Sequence, residues 1–373
     1  MLLISFGHLV HDVFTAFLAP ILPLLIAKFS LSYAAAGLIS VMLRMPSLLN
    51  PLVGAYIERW GLRKILVVCP AATAVGMCLM GAAPSYYAVL LLAAITSIST
   101  SLFHVPAPVL VQELAGRRVG AALSAFQMGG ELARTVGPLL VLGALTFCPL
   151  ERLYLLTPIG FLASALLYWR LRDLPRGRVS PGLKAGGAVL DTLRFDRTLF
   201  WGISGIVLSK CLTASIMATF LPAYLMAKGE RLWFAGVALS IVEAAALVGV
   251  LLSGTLSDRI GRKRILVGLT AATPVAMLFF LYSSGWLRIP ALILTGLSAF
   301  TTAPVILALI QRRGFPYPSV ANGIYFAINF ALGSAIVLLA GKLSDAIGME
   351  ATFRAMAVCS CVGLPFALRI EDR

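Results

Sequence analysis

Long apolar segments, separated by short polar stretches, follow one another along the whole 373-residue chain. A helix that crosses the hydrocarbon core of a bilayer needs roughly 20 apolar residues. Segments of this length are too long for the ~10-residue alternating strands of a membrane barrel, and open sheets leave backbone groups unpaired in lipid. The pattern predicts an all-α membrane protein with twelve spans, at residues 3–27, 33–57, 65–83, 88–112, 119–146, 150–170, 198–226, 233–256, 265–284, 289–311, 319–341 and 350–369.

A polar stretch rich in arginine, proline and glycine interrupts this pattern between the sixth and seventh spans. It runs from Leu171 to Arg197 and separates two equal sets of spans. We therefore predict a six-helix bundle at 1–170, a cytoplasmic linker at 171–197 and a second six-helix bundle at 198–373.

Composition agrees with a lipid environment, because 60% of the residues are hydrophobic and 12% are charged, against about 25% charged in soluble domains. The net charge of +15 would also suit nucleic acid. However, most of the 30 Lys and Arg residues fall on one side of the membrane if both termini are cytoplasmic, as the positive-inside rule requires. The sequence therefore favours a multi-pass protein of the bacterial cytoplasmic (inner) membrane and argues against a nucleic-acid partner.

Sequence motifs argue against an enzyme. The chain has no Gly-x-x-x-x-Gly-Lys-Ser/Thr phosphate loop, nucleophile elbow or complete metal motif. We expect no cofactor and no metal site, and we expect no direct use of ATP.

A glycine-containing loop after the second span recurs after the eighth, as Gly-x-x-x-acid-Arg-x-Gly-x-basic-basic. Its glycines permit a tight turn, and its carboxylate can pair with a basic group in one conformation and release it in another. A basic loop that only fixes topology is the simpler alternative for one copy. Two copies in register favour gating by Gly54, Glu58, Arg59 and Gly61 in the first copy and Gly254, Asp258, Arg259 and Gly261 in the second.

The repeated loop resembles the loop between helices two and three of the major facilitator superfamily, with Glu58 where aspartate is usual. The N-terminal half is also similar to the fosmidomycin resistance family of bacterial drug exporters over most of residues 7–140. This similarity is carried by His11-Asp12, Leu22-Pro23, Leu31-Ser32-Tyr33, Gly37-Leu38, Asn50-Pro51-Leu52, Phe103-His104, Phe126-Gln127, Gly129-Gly130 and Gly137-Pro138-Leu139.

The resemblance implies two six-helix bundles around a central cavity, lined by helices one, four, seven and ten, with alternating access by rocking. It also implies proton-driven export of a small, often anionic or amphiphilic, compound. The chain departs from the family where His11 replaces the more usual asparagine and Ala133 replaces a glycine of the fifth helix. Its second half matches only the superfamily.

Ionisable side chains inside the spans are the main functional candidates, since each costs at least ~2.5 to 3.5 kcal/mol at mid-membrane. Three acids and three bases fall there: Asp12, Arg44, Glu131, Arg134, Lys210 and Glu243. The three histidines of the chain are His8, His11 and His104, in the first and fourth spans.

Helical spacing places His8, His11 and Asp12 on one face of the first span. We expect Asp12, assisted by His11 or His8, to take up protons, with Glu131 as a further proton-coupling residue. Positive side chains would attract an anionic part of the substrate, and a substrate that captures the cation would release the acid to take a proton. The predicted substrate-binding residues are Lys210, Arg44, Arg134, His104, Glu243, Asn322, Tyr325 and Asn329.

Each of these residues also has a structural interpretation. Arg134 with Glu131 or Glu243, and Asp12 with Lys210, could be permanent ion pairs that hold the bundles together. His104, just before Pro106 and Pro108, could be a packing histidine at a bend. The polar face of the eleventh span could be helix contact.

The leading function is a monomeric, proton-coupled exporter of a small organic molecule. Alternatives are uptake or exchange of an organic anion or zwitterion, metal-ion transport through the partial ligand set of His8, His11 and Asp12, and a receptor or scaffold that transports nothing.

Overall fold

A computed structural model describes residues 2–45, 62–115, 119–172 and 185–370, and every regular element in these ranges is a helix. The first half contains α1 (Leu2–Thr15), α2 (Leu18–Phe29), α3 (Tyr33–Met42), α4 (Leu62–Cys78), α5 (Tyr86–His104), α6 (Pro106–Ala115), α7 (Val119–Phe147) and α8 (Thr157–Leu171), with short 3-10 turns at Met80–Ala82 and Leu150–Leu156.

The second half begins with α9 (Ala185–Phe195), inside the predicted linker. It continues with α10 (Arg197–Ala227), α11 (Leu232–Ile260), α12 (Arg262–Tyr282), α13 (Arg288–Ala299), α14 (Thr302–Arg312), α15 (Pro318–Ile347), α16 (Met349–Cys359) and α17 (Gly363–Arg369), with 3-10 turns at Gly285–Leu287 and Ser360–Val362.

Ten helical segments in the described residues are long and apolar enough to cross a membrane. Two shorter apolar helices, Tyr33–Met42 and Leu66–Ala82, correspond to the second and third predicted spans. Residues 46–57 of the second span lie outside the described residues. The prediction of an all-α membrane protein is confirmed, and the helices match the twelve predicted spans in order.

Prolines break the first, fourth and tenth spans into two helices each. Proline cannot donate a backbone hydrogen bond, and its ring clashes with the carbonyl four residues earlier. Pro20, Pro106 and Pro304 therefore end a helix in the turn before them. The breaks lie at residues 16–17, 105 and 300–301. Helix α5 ends at His104, just before Pro106, and a bend at this point stays a prediction.

The chain forms two compact units. Unit 1 contains Met1–Leu31, Leu38–Gly182 and Leu225–Ser240, and unit 2 contains Ser32–Gly37, Leu183–Tyr224 and Ile241–Arg373. Unit 1 thus holds most residues before the predicted linker, and unit 2 holds most residues after it. The sharper division at 1–170 and 198–373 stays a prediction.

Helices α1 and α7 of unit 1 approach closely because glycines face the contact. A Cβ atom on Gly137 would lie 2.6 Å from the Ala16 Cβ, and one on Gly129 would lie 2.7 Å from the Ser5 carbonyl oxygen. On its other sides α1 packs against α4 and α8. These contacts hold the polar face of α1 inside unit 1.

Candidate functional site

Three histidines and one aspartate meet in unit 1. His8, His11 and Asp12 share one face of α1, and His104 is the last residue of α5. The His8 Nε2 atom lies 3.1 Å from Asp12 Oδ2 and 3.1 Å from His104 Nε2. His104 Nε2 is 3.4 Å from the same carboxylate oxygen. We call these four residues the Asp12 cluster.

The other oxygen of the carboxylate faces the remaining histidine. His11 Nδ1 lies 2.8 Å from Asp12 Oδ1, and His11 Nε2 lies 2.9 Å from the Thr73 hydroxyl on α4. The Thr73 hydroxyl donates to Ser99 Oγ on α5 over 2.8 Å, and Ser99 donates to the Cys69 carbonyl over 2.9 Å. A buried chain of hydroxyls therefore extends from His11 away from Asp12.

Aromatic rings and a glycine enclose the cluster. The His8 ring stacks on Phe126 at 4.0 Å between centroids, and the His11 ring stacks on Phe103 at 4.5 Å. Gly130 on α7 lies against the cluster, where a Cβ would be 2.7 Å from the His8 ring and 3.1 Å from Asp12 Oδ2. The polar atoms are thus held in an apolar surround of fixed shape.

Exposure is uneven across the cluster. His8 and His11 are 2% and 0% exposed, whereas the side chains of Asp12 and His104 are 13% and 34% exposed. The cluster is therefore most open on the side of His104.

Backbone carbonyls fix the ring orientation of two histidines. His8 Nδ1 lies 2.7 Å from the Phe126 carbonyl oxygen, and His104 Nδ1 lies 2.9 Å from the Thr100 carbonyl oxygen. A carbonyl only accepts, so each Nδ1 donates a proton. In the neutral rings, both Nε2 atoms then turn a lone pair toward each other and toward Asp12 Oδ2. Such a group attracts a cation.

Two imidazole nitrogens and a carboxylate oxygen are also donor types that divalent transition metals accept. The donor atoms of His8, Asp12 and His104 all lie within 4.8 Å of one another, and no other such group occurs in the described part of the chain. The sequence predicted His8, His11 and Asp12 as a partial ligand set. In the structure His104, and not His11, completes the group with His8 and Asp12.

Two of the predicted charged residues lie on α7 and form an ion pair. Arg134 Nη2 donates to Glu131 Oε2 one helical turn away, and the arginine side chain is about half exposed. The Arg134 charge also acts through space on His104. This contact lies within one helix, so it does not test an ion pair that holds the two bundles together, and the role of both residues in transport stays a prediction.

A second group of predicted residues lies in unit 2. Lys210 Nζ on α10 donates to Asn329 Oδ1 on α15 over 3.2 Å, and the Cys211 thiol donates to the Asn329 carbonyl over 3.8 Å. Tyr325 is 1% exposed, and the buried Asn322 Oδ1 has no hydrogen-bond partner among the described residues.

Two further predicted substrate-binding residues lie in α11 and just beyond α3. Glu243 is a buried residue of α11, and Arg44 is exposed in a turn just beyond α3.

The second copy of the repeated loop joins α11 to α12. Gly261 has φ +103°, which residues with a side chain rarely adopt, and Arg262 Nη2 donates to Asp258 Oδ1 over 2.7 Å. Gly254 and Arg259 lie in α11. The first copy, with Gly54, Glu58, Arg59 and Gly61, lies outside the described residues. Gating by either copy stays a prediction.

Comparison with known proteins decides the family. A sequence model of the Major Facilitator Superfamily matches residues 4–337. This chain belongs to the major facilitator superfamily. It is 26% identical over 376 residues to the fosmidomycin resistance protein of Escherichia coli (strain K12), covering 97% of this chain and 90% of that protein.

Solved structures of the superfamily share the fold of this transporter. A D-xylose-proton symporter superposes with a TM-score of 0.80 at 16% identity, covering 98% of this chain and 95% of that one. The nucleoside transporter NupG superposes with a TM-score of 0.79 at 15% identity, covering 99% of both chains. The expected family, the major facilitator fold and a transporter rather than an enzyme are confirmed.

Sequence reasoning did not find two polar residues of this transporter's site. Thr73 and Ser99 contact the cluster through His11, and they are 0% and 5% exposed. Hydroxyl residues are common in membrane helices, so their presence carries little information. Only the packing of α4 against α1 distinguishes Thr73 from the other hydroxyls of its span.

Proposed function

We propose that this transporter exports a small anionic or amphiphilic organic compound in exchange for protons. It works as a monomer in the bacterial inner membrane, with both termini cytoplasmic. The observation that carries the proposal is the Asp12 cluster, in which one carboxylate faces three imidazole rings in a largely buried setting.

The arrangement of the cluster supports proton binding. Histidine changes its charge between about pH 5 and 8, the range in which membrane proton gradients operate. Two Nε2 lone pairs and one carboxylate oxygen converge within 3.4 Å, so an added proton turns repulsive contacts into hydrogen bonds. The exposed edge of His104 provides a route for that proton from water.

The polar group in unit 2 supports binding of an anionic substrate. Lys210 donates to the neutral amide oxygen of Asn329, and a carboxylate or phosphate oxygen would accept a stronger, charge-assisted hydrogen bond. The unpaired Asn322 oxygen would accept from a donor group of the same compound. Tyr325, Arg44, Arg134, His104 and Glu243 remain candidates for further substrate contacts.

Export is favoured by the similarity to the fosmidomycin resistance protein along nearly the whole chain. Uptake of an organic anion is the second candidate, which the Lys210–Asn329 pair favours equally. Competition between the substrate and Asp12 for a cation stays a prediction in both cases.

Transport by purified protein in proteoliposomes tests the proposal. A thermal-shift screen over organic anions, lipophilic cations and divalent metals first identifies a ligand, because a ligand of the folded state raises Tm by mass action. A pH gradient should then drive movement of that ligand, and its sign gives the direction.

The decisive variant is Asp12→Asn, which keeps the shape of the side chain but cannot take up a proton. We expect it to abolish pH-driven transport, whereas Glu350→Gln, which removes an acid of a surface ion pair, should transport normally. Unchanged transport by Asp12→Asn would refute the proton role. Transport of a metal ion without proton movement would replace the proposal.

A further inference from the structure

The hydroxyl chain beside His11 has only one consistent direction. The Cys69 carbonyl can only accept, so Ser99 must donate its single hydroxyl proton to it. Ser99 then has no proton for Thr73, and Thr73 must donate to Ser99. Thr73 in turn has no proton for His11, so His11 must donate from Nε2 to the Thr73 oxygen.

This direction changes the contact between His11 and Asp12. A neutral imidazole carries one N–H, which the chain holds on Nε2. The Nδ1 atom therefore turns a lone pair toward Asp12 Oδ1 at 2.8 Å. The contact becomes attractive only when a second proton is added, on Nδ1 or on the carboxylate. Without the chain, the ring would place its single proton on Nδ1 and need no other.

The opposite carboxylate oxygen needs a proton independently. The carbonyls of Phe126 and Thr100 hold the protons of His8 and His104 on Nδ1. One proton placed on His8 Nε2 would satisfy the contacts to Asp12 Oδ2 and to His104 Nε2, both 3.1 Å long. Each oxygen of Asp12 thus requires one added proton.

We infer that Thr73 and Ser99 are positioning residues that hold the His11 proton on Nε2, so that the Asp12 cluster binds two protons instead of one when it is loaded. The inference rests on the proposed proton-coupled transport and adds its proton count. Loss of the chain would allow His11 to donate to Asp12 by itself, and one proton fewer would be taken up.

Titratable or charged groups also face the cluster from neighbouring helices. α7 brings Arg134, whose charge acts on His104 and which is paired with Glu131. α4 brings the Cys69 thiol beside Ser99. α8 faces α1 with an apolar side chain here, since Leu167 packs against Gly7 of α1.

Proton uptake measured with a pH-indicator dye tests the inference. The protein is placed in lipid nanodiscs and acidified from about pH 8 to 5, where histidine titrates. All three histidines of the chain lie in the cluster, and the titratable groups outside it contribute the same background in every variant. The variants Thr73→Val and Ser99→Ala contain the same titratable groups as the original protein, and their uptake can be compared directly.

We expect Thr73→Val and Ser99→Ala each to take up one proton fewer per protein. Ser99→Ala is the sharper variant, because it leaves Thr73 in place. The Thr73 hydroxyl then has no acceptor at Ser99 and is free to donate its proton to His11 Nε2 instead. Thr73→Ser keeps the hydroxyl and should match the original protein. Ser97→Ala removes a buried hydroxyl of α5 that donates to the Leu43 carbonyl instead, and it should also match.

Nitrogen NMR of the histidine rings provides a second readout, which a purely structural role would not change. At high pH, His11 should be protonated on Nε2 in the original protein and on Nδ1 in Ser99→Ala. Equal proton uptake by all variants, or an unchanged His11 tautomer, would overturn the inference. Such a result together with loss of transport in Asp12→Asn would leave the proposed function standing.

Discussion

Gly130 lies directly against His8: a Cβ on this glycine would be 2.7 Å from Cε1 and 2.9 Å from Nε2 of the ring. The glycine leaves room for the histidine to turn Nε2 toward Asp12 and His104. It follows that packing between α1 and α7 and the geometry of the proton site are set by the same residue.

Gly130→Ala should therefore impair transport more than it impairs folding. The added methyl group must displace the His8 ring or the whole of α1, and contacts of 3.1 Å do not survive such a shift. We expect pH-driven transport to fall at least tenfold, with a loss of stability of about 1–3 kcal/mol from overpacking. Transport in proteoliposomes and Tm in detergent measure the two effects.

Gly143→Ala is the matched control, because Gly143 lies on the same helix and a Cβ there meets nothing within 4 Å. It should transport normally and be slightly more stable, since alanine favours helix by about 1 kcal/mol. Equal transport by the two variants would contradict the role assigned to Gly130.

Two simple rules predict the spans and part of the Asp12 cluster from the sequence. Apolar length placed the spans within a few residues, because a bilayer imposes one length on every helix. Helical spacing placed His8, His11 and Asp12 on one face. Neither rule states which face of α5 meets α1, so the sequence does not place His104 beside Asp12 and does not single out Thr73.

The polar contacts of the charged residues show what the sequence can and cannot predict. Spacing along α7 allowed Glu131 and Arg134 to pair, and they do. The partner of Lys210 lies 119 positions away in sequence, on a helix whose rotation no sequence pattern fixes. Contacts within one helix were predictable, and contacts between helices were not.

Lys210 and Asn329 should contribute to ligand binding in different ways. Lys210→Gln removes the charge, so an anionic ligand should lose at least tenfold in affinity, while an uncharged ligand should lose little. Asn329→Leu removes the amide that Lys210 contacts and should weaken both. Thermal shifts at several ligand concentrations give the affinities. An equal loss for charged and uncharged ligands in Lys210→Gln would contradict the anion site.

Gly261 should be the least replaceable glycine of the α11–α12 turn. Its φ of +103° and ψ of +137° strain a residue with a Cβ by about 1–3 kcal/mol, so Gly261→Ala should lower the free energy of unfolding by that amount. Gly268→Ala, on α12 in open space, should keep or raise stability. A Tm of Gly261→Ala at or above that of Gly268→Ala would contradict the requirement for glycine in this turn.

Asp345 caps a helix that is distant in sequence. Its two carboxylate oxygens accept from the backbone N–H groups of Tyr33 and Ala34, at 2.6 and 3.0 Å, and Ser32 Oγ accepts from Ala35 at 3.1 Å. Gly341, one turn earlier on α15, permits this approach, since a Cβ there would lie 2.7 Å from the Tyr33 carbonyl oxygen. The carboxylate thus satisfies two donors at the positive end of α3.

Asp345→Ala should lower stability by about 1 kcal/mol, as expected for loss of a capping group, and Asp345→Asn should lose less because its amide oxygen still accepts. High salt should reduce both losses by the same amount, the contribution of the carboxylate charge that both variants lack. Urea or thermal unfolding at two salt concentrations separates these contributions. Full stability of Asp345→Ala would show that α3 is capped by Ser32 alone.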